Sequence, residues 1–294
     1  MDDETRTKYI EAGRAVQKAK ETARNACGHG AGFQEIAQEV EQSVRDAGAE
    51  PAFPVNLSRN DEAAHYTPGP GTERNLDSGD VLKVDIGAHV DGYIADTAVT
   101  LNTSGKHEER IKENRRLLEK AVEFVEAGVT VGELGTHIQQ EAPQDLNVIQ
   151  NLTGHYLGRY VQHAGVSVPN VDNTSQHEFK PGDAVAIEPF LTDGAGQVRN
   201  GKPGNIYRLE SDSGVRGRTQ RKLLDRIKEY NGLPFASRWL DPSGRERMAL
   251  QKMVQSGNLE HYDILTESRG GSVYQAEHTV LIEESGCTVT TGDI

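Results

Sequence analysis

The sequence contains no run of about 18 or more apolar residues, so no segment of it reads as a membrane-spanning helix. Its first residues, Met1 to Arg14, lack the basic-then-apolar pattern of a secretory leader. Cysteine is nearly absent. Cys27 and Cys287 lie far apart and in no metal-type spacing, which excludes a disulfide scaffold and a thiolate zinc site and fits reduced thiols in a cytoplasmic protein. Aromatic residues make up only 5%, and 32 bases stand against 45 acids, a net charge of −13. That excess argues against a generic nucleic-acid binder. Lysine is scarcer than arginine, and an acidic, lysine-poor surface suits a salty cytoplasm. No short-period repeat or low-complexity segment occurs. What the chain does have is length: 294 residues can bury a substantial core, as one large domain or two.

Read in order, residues 3–26 carry a loosely apolar stripe (Ile10, Val16 and several alanines) that predicts a helix, broken at Cys27-Gly28-His29-Gly30. Phe33 to Ala47 is a second helix, with Phe33, Ile36, Ala37, Val40 and Val44 on one face and Gly48 as its stop. Glu50 to Gly71 is rich in Pro, Asn and Gly and reads as a loop too long for a plain connector. His107 to Ala127 is helical, and Thr130-x-x-Glu133 is a capping box opening another helix that Pro143 ends. Asn151 to Val168 shows no clear period, while Ala184 to Leu191 reads as a strand halted near Pro189. Arg221 to Tyr230, and a helix opened by Ser243-x-x-Glu246 and ended near Gly257, form a helical block between strand-like Asn205–Leu209 and Ser272–Ile282. The block reads as an insertion into a sheet domain.

The stretch with the most chemical content is VLKVDIGAHVDGYIADTAVT, Val81 to Thr100. Two segments rich in β-branched residues flank His89-Val90-Asp91-Gly92, the pattern of a β-hairpin. A turn centred between Val90 and Asp91 makes Asp85 and Asp96 directly opposed. Side chains so placed sit about 4.5–5.5 Å apart at Cβ, and like charges there repel. Within apolar strands two carboxylates need a proton, a donor or a cation. Two readings follow: the pair bridges metal ions, or a bulge turns one Asp to solvent.

Glu188 in AVAIEPF and Glu277 in YQAEHTVLI each interrupt an apolar strand. His155 and His163 lie eight residues apart in a Gly-rich context, and His65 sits in AAHYTP within the long loop. Singly, each reads as a capped carboxylate or a satisfied histidine. Together, four carboxylates and an imidazole make an oxygen-dominated site suited to two divalent transition ions. The remaining histidines, His261 and His278 among them, read as structural.

The runs FPVNLSRNDEAAHYTPGP, GDVLKVDIGAHVDGYIADTAVTL, NLTGHYLGRYVQHAGVSVP, VAIEPF and AEHTV, in that order, resemble the type 2 methionine aminopeptidases over most of the chain. The resemblance implies an α+β pita-bread (creatinase/aminopeptidase-like) fold with pseudo-two-fold halves and a helical insertion. It assigns residues 1–209 and 263–294 to the catalytic domain and 210–262 to the insertion. It implies metal ligands at Asp85, Asp96, His155, Glu188 and Glu277, holding two divalent ions (Co, Mn, Fe or Zn). By the same resemblance Glu188 is also the general base, His163 contacts the scissile carbonyl, and His65 contacts the substrate amide. Phe53, Phe190 and Tyr262 then line the methionine pocket. Ile206 departs from the pattern, since eukaryotic members carry a histidine there. The implied activity is removal of the initiator methionine from nascent proteins and peptides with a small second residue, by a cytoplasmic monomer.

Proline-specific peptidases share this fold and ligand set but normally carry a sizeable domain ahead of the first aspartate. A catalytically silent relative that binds ribosomes or RNA is a different class, and it predicts lost ligands. The insertion adds one feature of its own. Between Arg216 and Gly257 ten bases face four acids, a local charge of 10 − 4 = +6 in a chain of −13. Such a patch either steers toward a polyanion such as ribosomal RNA or pairs with acids of the catalytic domain.

Overall fold

A computed structural model describes residues 1–292. The order helix, helix, antiparallel hairpin occurs twice. Helices Asp3–Ala26 and Phe33–Asp46 precede the hairpin Val81–Val90/Tyr93–Asn102, and helices Glu108–Phe124 and Val131–Glu141 precede the hairpin Thr153–Gly158/Val161–Pro169. In each half the helix pair covers its sheet. The first core joins Val16, Phe33, Ile36 and Val40 to Leu57, Val84 and Ile86, and the second joins Leu118, Val122, Leu134 and Ile138 to Val185, Ile187 and Val280. These are the apolar stripes of the sequence, buried as periodicity requires. This is the pita-bread architecture.

Local signals explain most boundaries. The Asp2 side chain accepts the Thr5 N–H at 2.7 Å to start the first helix. Both capping boxes form, Thr130 with Glu133 and Ser243 with Glu246. A cap of this kind contributes about 1 kcal/mol. The long loop is the first departure. Glu50–Gly71 contains short strands at Glu50–Pro51, Asn56–Arg59 and Glu62–Ala64. They are too short to show a period of their own and exist because longer strands, Val81–Val90 and Leu259–Glu267, supply partners. The Asn151–Val168 stretch likewise becomes a hairpin, its pattern blurred by two register shifts.

The central hairpin corrects the expected register. Val90 pairs with Tyr93, Gly87 with Asp96, and Asp85 with Ala98, so Asp85 and Asp96 are diagonal rather than directly opposed. The cause is the turn. Asp91 and Gly92 both take left-handed backbone, φ 50° and 86°, which makes Asp-Gly the two central residues of a type I′ turn. The slip is two residues, so both carboxylates keep the same sheet face. The ladder runs from Val81 to Tyr93 without a register shift, which disposes of the bulge.

The two halves meet where Tyr93–Asn102 abuts residues 275–279. Thr97 and Thr100 donate their hydroxyls to the carbonyls of Glu277 (2.8 Å) and Gln275 (2.7 Å), and Thr279 donates to the Asp96 carbonyl at 2.9 Å. A third sheet runs Phe235–Ala236, Val198–Leu209, Leu259–Glu267, Glu62–Ala64. It leads into the helical block, whose helices Arg218–Lys228 and Gly244–Gln255 enclose a separate small core of Leu223, Ile227, Phe235, Leu250 and Met253. No helix among the described residues is long and apolar enough to cross a membrane.

Candidate metal centre

Each half delivers acids to the seam between them. Asp85 and Asp96 come from the first hairpin. His155 lies on Thr153–Gly158, opposite Ala186 of the strand Ala184–Ile187 that leads to Glu188. Pro189 lacks an N–H and cannot extend that strand, so Glu188 falls in the break before Phe190–Thr192. Glu277 occupies the matching break between Val273–Gln275 and His278–Ile282. Both interruptions that look like flaws in apolar strands are thus the points where a carboxylate enters the seam.

Ligand atoms of Asp96, His155 and Glu277 all lie within 4.8 Å of one another. His155 Nε2 is 3.6 Å from Asp96 Oδ2 and 3.6 Å from Glu188 Oε1. Asp96 is 1% exposed and Glu277 2%. Gln275 Nε2 reaches an oxygen of Glu188 and one of Glu277, each at 3.4 Å, and Gln162 Nε2 donates to Asp96 Oδ2 at 3.3 Å. Even so, Asp85 Oδ1 and Asp96 Oδ1 are buried with no hydrogen-bond partner among the described residues.

The electrostatics follow from that crowding. Burial, reinforced by the Asp96 charge, holds the Asp85 carboxyl well above the usual range, and burial pushes Asp96 up to about 7. Burial and the neighbouring carboxylates raise Glu188 and Glu277 well above their ordinary values. Burial pulls His155 down to about 3, so its ring is neutral near pH 7 and cannot serve as the counter-charge. Two buried acids, two half-buried ones, a neutral imidazole and two orphaned oxygens make a hard, anionic donor set. Its hardness and charge fit divalent metal.

The centre forms one wall of a cavity of about 230 Å³ that also takes in Phe53, His65, His163, Phe190 and Tyr262. Every residue singled out from the sequence therefore reaches one space. His65 has left-handed backbone (φ 67°), its Nδ1 lies 3.3 Å from the Asp263 carbonyl, and its ring meets Tyr262 edge-on at 5.2 Å. The His163 ring lies 4.4 Å from that of His155 and is open to solvent at the mouth. Phe53 is seated against Gly87, where a Cβ would come within 2.1 Å of its ring, so the residue opposite Asp96 must lack a side chain. Gln162, Gln275 and Pro234 also line the cavity and were not anticipated. Gln275 had a readable signal, since it lies two residues before Glu277 and period two sets both on one strand face. Pro234 had none.

The profile of metallopeptidase family M24 fits residues 7–284. A methionine aminopeptidase of Pyrococcus abyssi is 45% identical over 290 residues, covering 97% of this chain and 98% of that protein. Among solved structures, a methionine aminopeptidase from Thermotoga maritima superposes with TM-score 0.72 at 22% identity, over 100% of this chain and 98% of that one. A thermophilic Arx1 superposes with TM-score 0.87 at 16% identity, over 100% of this chain and 92% of that one. With a full-length sequence match, a shared fold and a carboxylate-imidazole centre at the seam of its halves, the chain belongs to metallopeptidase family M24, among the methionine aminopeptidases.

Proposed function

We propose that the protein removes N-terminal methionine from peptides and nascent chains whose second residue is small. One observation carries the reading: five ligand-type side chains, with the unpartnered oxygens of Asp85 and Asp96, converge on a cavity whose other walls include Phe53, Phe190, Ile206 and Pro234. Asp85, Asp96, His155, Glu188 and Glu277 would hold two divalent ions drawn from Co, Mn, Fe and Zn. Such ions, when bound, lower the pKa of a water toward neutrality and polarise a carbonyl. Glu188 takes the proton of the attacking water and carries it to the leaving amine. Glu188 lines the cavity beside the other ligand-type side chains, which places its carboxylate within reach of such a water. His163 donates to the developing oxyanion and His65 receives the substrate amide. The apolar walls take the unbranched thioether, a soft recognition worth a few kcal/mol at most.

The test is methionine release from Met-Gly and Met-Pro peptides after chelation and re-addition of single metals. Release from Met-Gly with metal, lost on chelation and lost when the peptide's α-amine is blocked, is the expected result. Cleavage confined to Xaa-Pro bonds would make the protein a proline-specific peptidase. No cleavage with any metal would make it a binding relative, which the presence of all five ligands argues against.

The same reading places the enzyme in the cytoplasm as a monomer, in keeping with two unbridged cysteines, and takes residues 210–262 as an insertion that meets the ribosome. Arg238 pairs with Glu41 of the catalytic body, while Arg226 and Lys228 pair with Glu246 and Asp212. Arg218, Arg221 and Lys222 are exposed and join no ion pair among the described residues. An exposed cationic helix face of this kind attracts RNA phosphate. Reversing all three to Glu is expected to weaken ribosome co-sedimentation at low salt and to spare hydrolysis of a free tripeptide. Unchanged co-sedimentation, or none in the wild type, would end the docking idea.

A further inference from the structure

The insertion is joined to the catalytic body by a buried polar clamp, most of whose anchors lie beside the cavity. Arg238, on the turn Ser237–Leu240, and Glu41, on the helix Phe33–Asp46, have side chains only 6% exposed and are paired through Arg238 Nη2 and Glu41 Oε1. Arg238 Nη1 also donates to Thr67 Oγ1 (2.7 Å) and to the Pro68 carbonyl (3.2 Å). Trp239 Nε1 donates to the other Glu41 oxygen at 2.8 Å, and the Val55 N–H donates to Glu41 Oε1 at 3.1 Å. Thr67 Oγ1 donates onward to the Val55 carbonyl at 2.8 Å. Asn205 Nδ2 donates to the Thr67 carbonyl at 3.2 Å, and Ser237 Oγ donates to Asn205 Oδ1 at 3.4 Å.

Glu41 apart, the anchors Val55, Thr67, Asn205 and Arg238 are near neighbours, along the chain, of cavity residues. Val55 follows Phe53 by two positions and Thr67 follows His65 by two; Asn205 precedes Ile206, and Pro234 lies four before Arg238. Among the described residues no side-chain hydrogen bond or ion pair links a proposed metal ligand to Arg238 or Glu41. A buried ion pair is weak support for stability, because removing two charges from water offsets most of their attraction. What a guanidinium fork does supply is direction: several fixed donors that hold separate segments in one arrangement.

We infer that Arg238 and Glu41 are positioning residues whose pairing fixes Phe53, His65, Ile206 and Pro234 relative to one another, and so sets which first side chain the cavity accepts and how fast it is turned over. The inference rests on the proposed reaction, and it gives the insertion a task in catalysis separate from any docking. The substrate-facing wall is held by the clamp and the metal-facing wall by the two hairpins.

The experiment compares Arg238→Lys, Arg238→Gln and Glu41→Gln with the wild type, each metal-saturated and assayed well below its unfolding temperature. Arg238→Lys keeps the charge but loses the fork; Glu41→Gln removes the charge and keeps one acceptor oxygen, for Val55 or for Trp239, in place of two. The expected result is a fall in kcat/KM of about 10- to 100-fold, as slight misplacement of reacting groups produces. Metal affinity should stay at the wild-type value, and preference for methionine over norleucine and leucine as first residue should shrink. A variant of the distant Arg6–Glu283 pair, Arg6→Gln, serves as a control that loses an ion pair without changing that preference. Variants with wild-type kcat/KM and preference overturn the inference. So does loss of metal in step with activity, or failure of all three to fold, since the clamp would then serve the scaffold alone. Wild-type inactivity on every peptide would instead sink the reaction itself.

Discussion

Asp85→Asn is expected to lower methionine release by more than about 100-fold, beyond the 10- to 100-fold that losing an outer partner of a metal site produces, and to weaken metal binding with the fold intact. The substitution keeps the size and shape of the side chain. It exchanges a charged oxygen, one of two with no other partner in the seam, for a neutral amide. The same change should act in the opposite direction on the metal-free protein. Asp85 and Asp96 share a face of one hairpin, and burial holds both acids, with Glu188 and Glu277, above their ordinary pKa values. At these acids the native state therefore binds more protons than the unfolded chain between about pH 4, where free carboxylates titrate, and pH about 7, the value for Asp96. Their contribution to stability falls as pH rises through that window, while buried neutral histidines such as His65 and His155 contribute in the opposite direction. The histidines are common to both proteins, so chelated Asp85→Asn should gain on chelated wild type as pH rises from 5 to 8 and melt higher than it at pH 8. Added metal reverses the order, because it binds the native wild-type site and stabilises it by mass action. Thermal melts at the two pH values, with and without metal, supply the measurement. Wild-type turnover in metal-saturated Asp85→Asn, or parallel pH curves for the two chelated proteins, would remove Asp85 from the centre.

How much of the fold and site is legible in the sequence depends on whether the determining contact is local. The helices and both capping boxes are legible, since their signals lie within a turn or two of the chain. The hairpin is legible as a hairpin, and the order of its residues already shows that two aspartates share it. Its register is legible too, in Asp91-Gly92, a preferred type I′ pair that a turn centred between Val90 and Asp91 overlooks and that the backbone angles of both residues bear out. Strands of two to four residues in Glu50–Gly71 are hidden because their partners lie elsewhere, as far away as Leu265 for Ala64. Gly201, Pro203 and Gly204 obscure most of the strand Val198–Leu209 in the same way, and the ladder shifts register around Pro203. The clamp is beyond reach for the plainest reason: Glu41 and Arg238 are 197 residues apart, and nothing near either one names the other. The metal ligands themselves come through the family resemblance, and the hairpin alone argues only for the aspartates.

His65→Ala and His155→Ala should separate two kinds of histidine that a sequence pattern treats alike. His155 offers the nitrogen that lies, with oxygens of Asp96 and Glu277, within a 4.8 Å cluster, so its loss should release metal first and activity as a consequence, with partial recovery at high metal concentration. His65 is outside that cluster, and its Nδ1 faces the Asp263 carbonyl at 3.3 Å. A carbonyl can only accept, so Nδ1 carries the proton and Nε2 is left as an acceptor for a substrate amide N–H. Burial pulls the His65 pKa down to about 4, which keeps the ring in this neutral form throughout the neutral range. Its removal should therefore lower kcat by about 100-fold, as loss of a substrate-positioning contact does, with bound metal unchanged. Excess metal should not restore it. A calorimetric metal titration of both chelated variants, followed by kcat at saturating metal, decides the matter. Equal metal loss in the two would defeat the distinction, and wild-type kcat in His65→Ala would leave the ring with a packing role against Tyr262. The neutral-acceptor assignment carries its own check: the wild-type rate should show no loss traceable to His65 until the pH approaches 4, because only then does Nε2 gain a proton and turn from acceptor to donor.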